Sequence, residues 1–307
     1  MSSSHPPPFL QLAPPFLPTV HHDVYPSISP AEALAGAASG LSVLITGSGR
    51  GVGRAEALAF ANAGAKRVGL TSRSRGELEE VKKAIGKVAE GTEVVRRGGR
   101  DERRERCEAF WGGGGVLVNN AGFLEPPVPL RDSTPSTWWK THEINTLGTY
   151  LVTRAFLRAA HAKGLVEAAQ KGGKKLTVIN TSSVGSVATM AGLSSYQSGK
   201  TQINRFTEFL HFEEPSIRSF AFHPGSIRTK LAEDSFPPEW LEGMQDSPDL
   251  PGAFAVWLAT QDKADFLRGR YLSANWDVDE LLARQSEIVE QDLLWTRVRG
   301  MEQVMPH

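Results

Sequence analysis

From residue 41 onward, short runs of apolar residues alternate with longer stretches in which apolar positions recur at helical spacing. Residues 41–46 form one such run and lead into a glycine-rich loop; residues 52–63 then carry helical periodicity, with Gly64 placed to end the helix. A second apolar run covers 67–71, an exposed helix fits 76–88, and Val94 and Val95 belong to a third strand. The run 115–118 closes on the turn sequence NNAG, Asn119 to Gly122. Beyond it the pattern predicts a long amphipathic helix over 138–160, a buried strand over 176–180, a helix over 196–212, and a strand over 219–222 that ends in a Pro-Gly turn. Strand and helix alternating at this rhythm build right-handed βαβ units. The expected fold class is therefore α/β: a doubly wound parallel sheet between helix layers, in a single domain over 39–276.

Three segments stand outside that rhythm. Eight of the 19 prolines fall in the first 30 residues, so 1–38 reads as an extended or disordered arm, or as an arm packed on the domain through Val24, Tyr25 and Ile28. Residues 277–307 form a tail in which Asp277 and Glu280 have capping-box spacing ahead of Leu281, Leu282, Ile288 and Leu294, which predicts a docked helix. Residues 91–115 are irregular, with six arginines between Arg96 and Arg106 and then four consecutive glycines, and read as a solvated segment.

Composition narrows the partners. The chain has 307 residues, and its 34 basic residues balance 34 acidic ones, so it lacks the cationic excess with which proteins hold nucleic acid or anionic membranes. Cys107 is the sole cysteine, which excludes an intrachain disulfide and a zinc ribbon and fits a reducing, cytoplasmic compartment. Apolar stretches fall well short of the roughly 18 residues of a membrane span, and the proline-broken N-terminus lacks the basic region of a secretory signal. The histidines show no metal-ligand spacing; no metal is expected, and they read as surface or packing residues. A small-molecule ligand is the remaining class.

The sequence TGSGRGVG, Thr46 to Gly53, sits where the first strand meets the first helix. Glycines there let the backbone approach a pyrophosphate, whose charge the helix N-terminus receives. Tyr196 and Lys200 stand four apart on a helix and so share a face, where an ammonium can act on a phenol. A free tyrosine titrates near 10; bringing it toward 7 takes roughly 4 kcal/mol of preference for the phenolate, within reach of nearby positive charge. Ser183, thirteen residues before Tyr196, follows the strand at 176–180, where a hydroxyl can hold a substrate oxygen at the carboxyl edge of the sheet.

Together these motifs resemble the short-chain dehydrogenase/reductase family, in its single-domain branch, over about residues 41–276. Thr46, Gly47, Gly51 and Gly53 match its Thr-Gly-x-x-x-Gly-x-Gly loop, and NNAG matches its fourth-strand motif. Asn145 in EINTLG, Ser183, and Tyr196 with Lys200 in YQSGK match a catalytic tetrad; Pro224, Gly225 and Thr229 in HPGSIRT match the turn that closes over a nicotinamide. The resemblance, which extends to fungal members and hence to secondary metabolism, implies a Rossmann-like oxidoreductase that interconverts a ketone and a secondary alcohol. Tyr196 would be the acid/base and Ser183 would orient the substrate oxygen. Lys200 would lower the tyrosine pKa and bind ribose, and Asn145 would hold a proton-relay water. Coenzyme contacts would come from Gly47, Arg50, Gly51, Val52 and Gly53 in the loop and from Arg73 after the second strand. Asn119, Ala121 and Gly122 would add to them, as would Tyr196, Lys200, Ile227 and Thr229.

An NAD-selective chain places an acid at the end of the second strand; here Ser72 stands at that position and Arg73 follows, so no carboxylate repels a 2′-phosphate and a guanidinium can bind one. Arg50 offers a second partner, and NADP(H) is the expected coenzyme. The acidic residue that touches adenine in the family has its nearest candidate in Asp101. Residues 230–249, with Phe236, Trp240 and Met244, correspond to the substrate-covering loop and suggest a lipophilic substrate. By the same resemblance, the helices at 138–160 and 196–212 would form a homodimer or homotetramer. A non-catalytic dinucleotide-sensing scaffold and an epimerase or dehydratase remain open alternatives.

Overall fold

Each short apolar run is a strand. A computed structural model describes residues 16–97, 110 and 115–298. Among these, β1 (Ser42–Thr46), β2 (Arg67–Thr71), β3 (Glu93–Arg97), β4 (Gly115–Asn119), β5 (Leu176–Thr181), β6 (Ile217–His223) and β7 (Tyr271–Ser273) pair in parallel in the order β3-β2-β1-β4-β5-β6-β7. Chain order reverses between β1 and β4, the switch point where open α/β sheets bind ligands. Every residue of β1, β4, β5 and β6 is buried, as expected of strands covered on both faces. Val43, Ile45, Val116 and Val118 pack into one core, while the alternating Leu44 and Leu117 pack into the other.

Helices α1 (Gly51–Asn62) and α2 (Arg75–Val88) cover the first face through Phe60 and Val81. The helix predicted over 138–160 is interrupted: α3 (Pro135–His142) and α4 (Gly148–Ala162) are joined by a π-helical turn, Glu143–Leu147. A π turn adds one residue without breaking the rod, so hydrophobic periodicity does not reveal it. Helices α4, α5 (Leu165–Gln170) and α6 (Ser194–Glu213) cover the second face through Phe156, Val166 and Leu210. The short helices α7 (Lys230–Ser235) and α8 (Pro238–Leu241) follow β6, and α9 (Asp249–Thr260) returns to pack beside α1 on the first face.

The arm, from residue 16, is packed rather than free. Tyr25 and Ile28 are buried in the first core with Val24 against them, and Val20 bridges to Trp276. The Tyr25 hydroxyl donates to the Trp276 carbonyl (3.1 Å) and accepts from Val278 N (2.9 Å). The tail forms two short helices, α10 (Val278–Ala283) and α11 (Gln285–Glu290), instead of one. Half of the expected capping box forms: Asp277 Oδ1 accepts from the backbone of Asp279 and Glu280 (both 2.9 Å), but the Glu280 carboxylate turns to the arm, accepting from Thr19 N (3.2 Å) and Thr19 Oγ1 (2.6 Å). Asp101 and Cys107 lie outside the described residues. Among those described, no helix is long and apolar enough to cross a membrane, and no group of three or more His, Cys, Asp or Glu is placed to hold a metal.

Candidate active site

The glycine loop is fastened to the NNAG turn by two side chains, Thr46 and Asn120. Thr46 Oγ1 accepts from Asn120 N and Ala121 N (both 3.0 Å), and Asn120 Nδ2 donates back to the Thr46 carbonyl (2.9 Å). Gly47 has φ +68°, and a Cβ there would lie 2.8 Å from Ala121 Cα; a Cβ on Gly53 would lie 2.7 Å from the Gly47 carbonyl. Gly51 opens α1, with Arg50 preceding it and supplying no side-chain cap, so the first-turn N–H groups are left to a ligand. A loop with no room for a Cβ at Gly47 and Gly53, leading into an uncapped helix, fits the pyrophosphate of a dinucleotide.

Of the NNAG residues, Asn119 turns away from this loop. Its Nδ2 donates to Thr153 Oγ1 (2.9 Å) and Asn180 Oδ1 (2.8 Å) in the sheet interior. Asn120, which the sequence reading passed over, lines the adjoining cavity with Val52 and Gly122. Strand alternation decides between the two asparagines, and the end of β4 is visible only once the strand is paired.

That cavity brings together Ser183, Tyr196 and Lys200 from the end of β5 and the start of α6 with Ile227 and Thr229 from the turn after β6. Ser183 caps the short turn that follows β5, its hydroxyl accepting from Gly185 N (3.1 Å), and it hydrogen-bonds Tyr196. Lys200 is buried; its Nζ donates to the Thr181 carbonyl (2.6 Å) and lies 5.6 Å from the Tyr196 ring centroid. Burial brings the Lys200 ammonium down to about 8. The sequence led us to expect a lowered Tyr196 pKa, yet burial raises it, with only the Ser183 hydrogen bond opposing. The lysine spends its shortest hydrogen bond on a carbonyl rather than on the phenol, and desolvation dominates.

Asn145 lies in the π turn, where its side chain is fully committed: Oδ1 accepts from Phe123 N (2.7 Å) and Nδ2 donates to the Phe123 carbonyl (2.8 Å). It thereby clamps the chain just after the NNAG turn. His223, read from the sequence as a surface or packing residue, is buried and lines the cavity, where burial takes it down to about 4 and keeps it neutral. Phe236 and Met244 line the cavity with Leu124, Val184 and Leu193, whereas Trp240 packs behind Phe236 at 5.3 Å between ring centroids.

The end of β2 corrects one premise. A carboxylate does reach this corner: Ser72 Oγ donates to Glu77 Oε2 (3.1 Å), and Arg50 Nη1 stands 3.6 Å from Glu77 Oε1. Glu77 comes from the first turn of α2, five residues beyond Ser72, and is swung back over Gly49, where a Cβ would lie 2.6 Å from Oε2. Arg73 is exposed.

The family model for short chain dehydrogenases matches residues 42–240. The chain is 38% identical over 288 residues to short chain dehydrogenase mpl6 of Monascus purpureus, covering 89% of this chain and 93% of the relative. It is 33% identical to short chain dehydrogenase andI of Emericella variicolor, over 92% of this chain and 96% of the relative. Among solved structures, a 3-ketoacyl-(acyl-carrier-protein) reductase from Brucella melitensis, complexed with NADH, superposes with a TM-score of 0.67 at 26% identity over 76% of this chain and 96% of its own. The chain belongs to the short-chain dehydrogenase family, an oxidoreductase family with a nicotinamide coenzyme, and its relatives include fungal members.

Proposed function

We propose that this protein is an NADP(H)-dependent oxidoreductase that interconverts a ketone and a secondary alcohol on a small lipophilic molecule, in fungal secondary metabolism and in the cytoplasm. The observation that carries this reading is the convergence of Ser183, Tyr196 and Lys200 on a cavity that Val52, Asn120 and Gly122 of the glycine-loop corner also line. The bound nicotinamide supplies the hydride. Tyr196 donates its proton to the carbonyl oxygen, a role suited to a phenol whose raised pKa keeps it protonated at neutral pH. The Ser183 hydroxyl holds that oxygen, and Lys200 restores the tyrosine proton and contacts the nicotinamide ribose. Asn145, in the π turn, is the residue assigned to hold a relay water that links Lys200 to solvent.

Arg73 and Arg50 favour the 2′-phosphate coenzyme, and the apolar wall of Leu124, Val184, Leu193, Phe236 and Met244 favours a lipophilic substrate. Exposed Trp139, Leu147, Leu151 and Phe209, on the segments read as subunit contacts, support a homodimer or homotetramer. The test is purified protein with NADPH and a panel of ketones, read at the nicotinamide absorbance. Turnover is expected with the native chain and not with Tyr196→Phe; equal turnover in the two rejects the acid role.

A further inference from the structure

Residues ahead of the sheet reach the turn that covers the proposed coenzyme site. Asp246, beyond α8, is buried, and its two carboxylate oxygens are divided between two segments. Oδ2 accepts from Ser226 N (2.5 Å), and Asp246 N donates back to the Ser226 carbonyl (3.1 Å). Oδ1 pairs with His22 Nδ1 (2.5 Å), and Ser247 N donates to the His22 carbonyl (2.7 Å). The same carboxylate packs against Gly225, whose φ is +104° and where a Cβ would lie 2.7 Å from Oδ2. Gly225 and Ser226 are thus held from behind by a carboxylate that the arm itself holds.

The arm is well placed to hold it. His21 N donates to the Asn275 carbonyl (2.8 Å) and Asn275 Nδ2 donates to the His21 carbonyl (2.9 Å), so the backbone before His22 is tied to the end of β7. Val20 bridges to Trp276, and Tyr25 is buried beyond. Ser226, Ile227 and Thr229, on the far side of the same turn, line the cavity.

We propose that His22 and Asp246 are positioning residues: through them the N-terminal arm presets the turn Pro224–Thr229 for coenzyme, so that a segment remote from every family motif contributes to coenzyme affinity. The inference rests on the nicotinamide reading above. A turn already held loses less conformational freedom when a ligand docks on it, and without Asp246 the Ser226 N–H loses its charged acceptor. The His22 side chain is 66% exposed, so replacing it opens no core cavity.

The experiment compares the full-length chain with His22→Phe, which removes the donor, His22→Asn, which keeps one near the Nδ1 position, and Asp246→Asn. NADPH and NADH are each titrated by quenching of tryptophan fluorescence, alongside melting temperature and steady-state kinetics. His22→Phe and Asp246→Asn are expected to raise the Kd and KM of the bound coenzyme about fivefold or more, the scale of one charge-assisted hydrogen bond, with kcat within about twofold; His22→Asn should remain near native. A native Kd in His22→Phe, or equal losses in His22→Phe and His22→Asn, overturns the proposal, as does a fall in melting temperature with Kd unchanged. If the native chain binds neither coenzyme, the nicotinamide reading itself fails, and this inference with it.

Discussion

Two corners of the coenzyme cleft are built on opposite plans. Around α6, the side chains of the site are buried or half-buried and tied to their neighbours: Lys200 to the Thr181 carbonyl, Ser183 to Gly185 N and Tyr196, Asn145 to both polar groups of the Phe123 backbone. At the end of β2, Arg73 is exposed, Arg50 is half-exposed, and Glu77 meets Arg50 only at 3.6 Å. In the first corner low polarity makes each interaction strong and each misplacement costly, so the geometry and hence the chemistry are fixed. In the second, water and salt screen the charges, and a balance of exposed side chains sets a preference that single substitutions can move.

Breaking the dry corner should have the largest effect. Tyr196→Phe is expected to lower kcat/KM for ketone reduction by on the order of 10²–10⁴-fold while leaving coenzyme titration and melting temperature near native. A loss under tenfold would place the acid elsewhere.

Lys200 sharpens the contrast through pH. Burial lowers its pKa to about 8, so the ammonium is intact below that value and lost above it. The tyrosine, shifted upward, remains protonated across this range. Reduction kcat/KM is therefore expected to fall by up to about tenfold per pH unit once pH rises through about 8, and Lys200→Met should abolish the inflection along with most of the activity. A flat profile from pH 7 to 10 in the native protein contradicts the assignment.

In the exposed corner, Arg73→Asp should weaken NADPH by roughly 10–100-fold and NADH little, as loss of a charge-assisted phosphate contact and gain of a repelling carboxylate require. Equal losses would refute the phosphate assignment. The smallest change is expected from Glu77→Gln: removing the charge beside Ser72 and Arg50 should shift the NADPH-to-NADH ratio of kcat/KM toward NADPH by about two- to fivefold. That shift should shrink in high salt, where the Arg73 and Glu77 effects both fade but the Tyr196 effect persists.

Much of this was legible in the residues because it is written in local spacing. Short, nearly continuous apolar runs mark β1, β4, β5 and β6, and the four-residue interval from Tyr196 to Lys200 lies on one helical face wherever the helix packs. The loop from Thr46 to Gly53 likewise announces its strand-to-helix turn through its glycines, of which Gly47 and Gly53 leave no room for a Cβ.

What the chain alone determined, then, was the order of the strands β1 to β6, the glycine loop and the placing of Tyr196 and Lys200 on one helical face, since each follows from interactions within a few residues. Tertiary structure decided the rest: which asparagine of NNAG faces the cavity, how the π turn aims Asn145 at Phe123, that Glu77 folds back onto Ser72, and that residues 16–38 dock by burying Tyr25 and Ile28. It also reversed the expected shift of Tyr196, because a pKa depends on what surrounds a group in space and on how much water is excluded there. Those quantities arise from segments far apart along the polypeptide, and no local pattern encodes them.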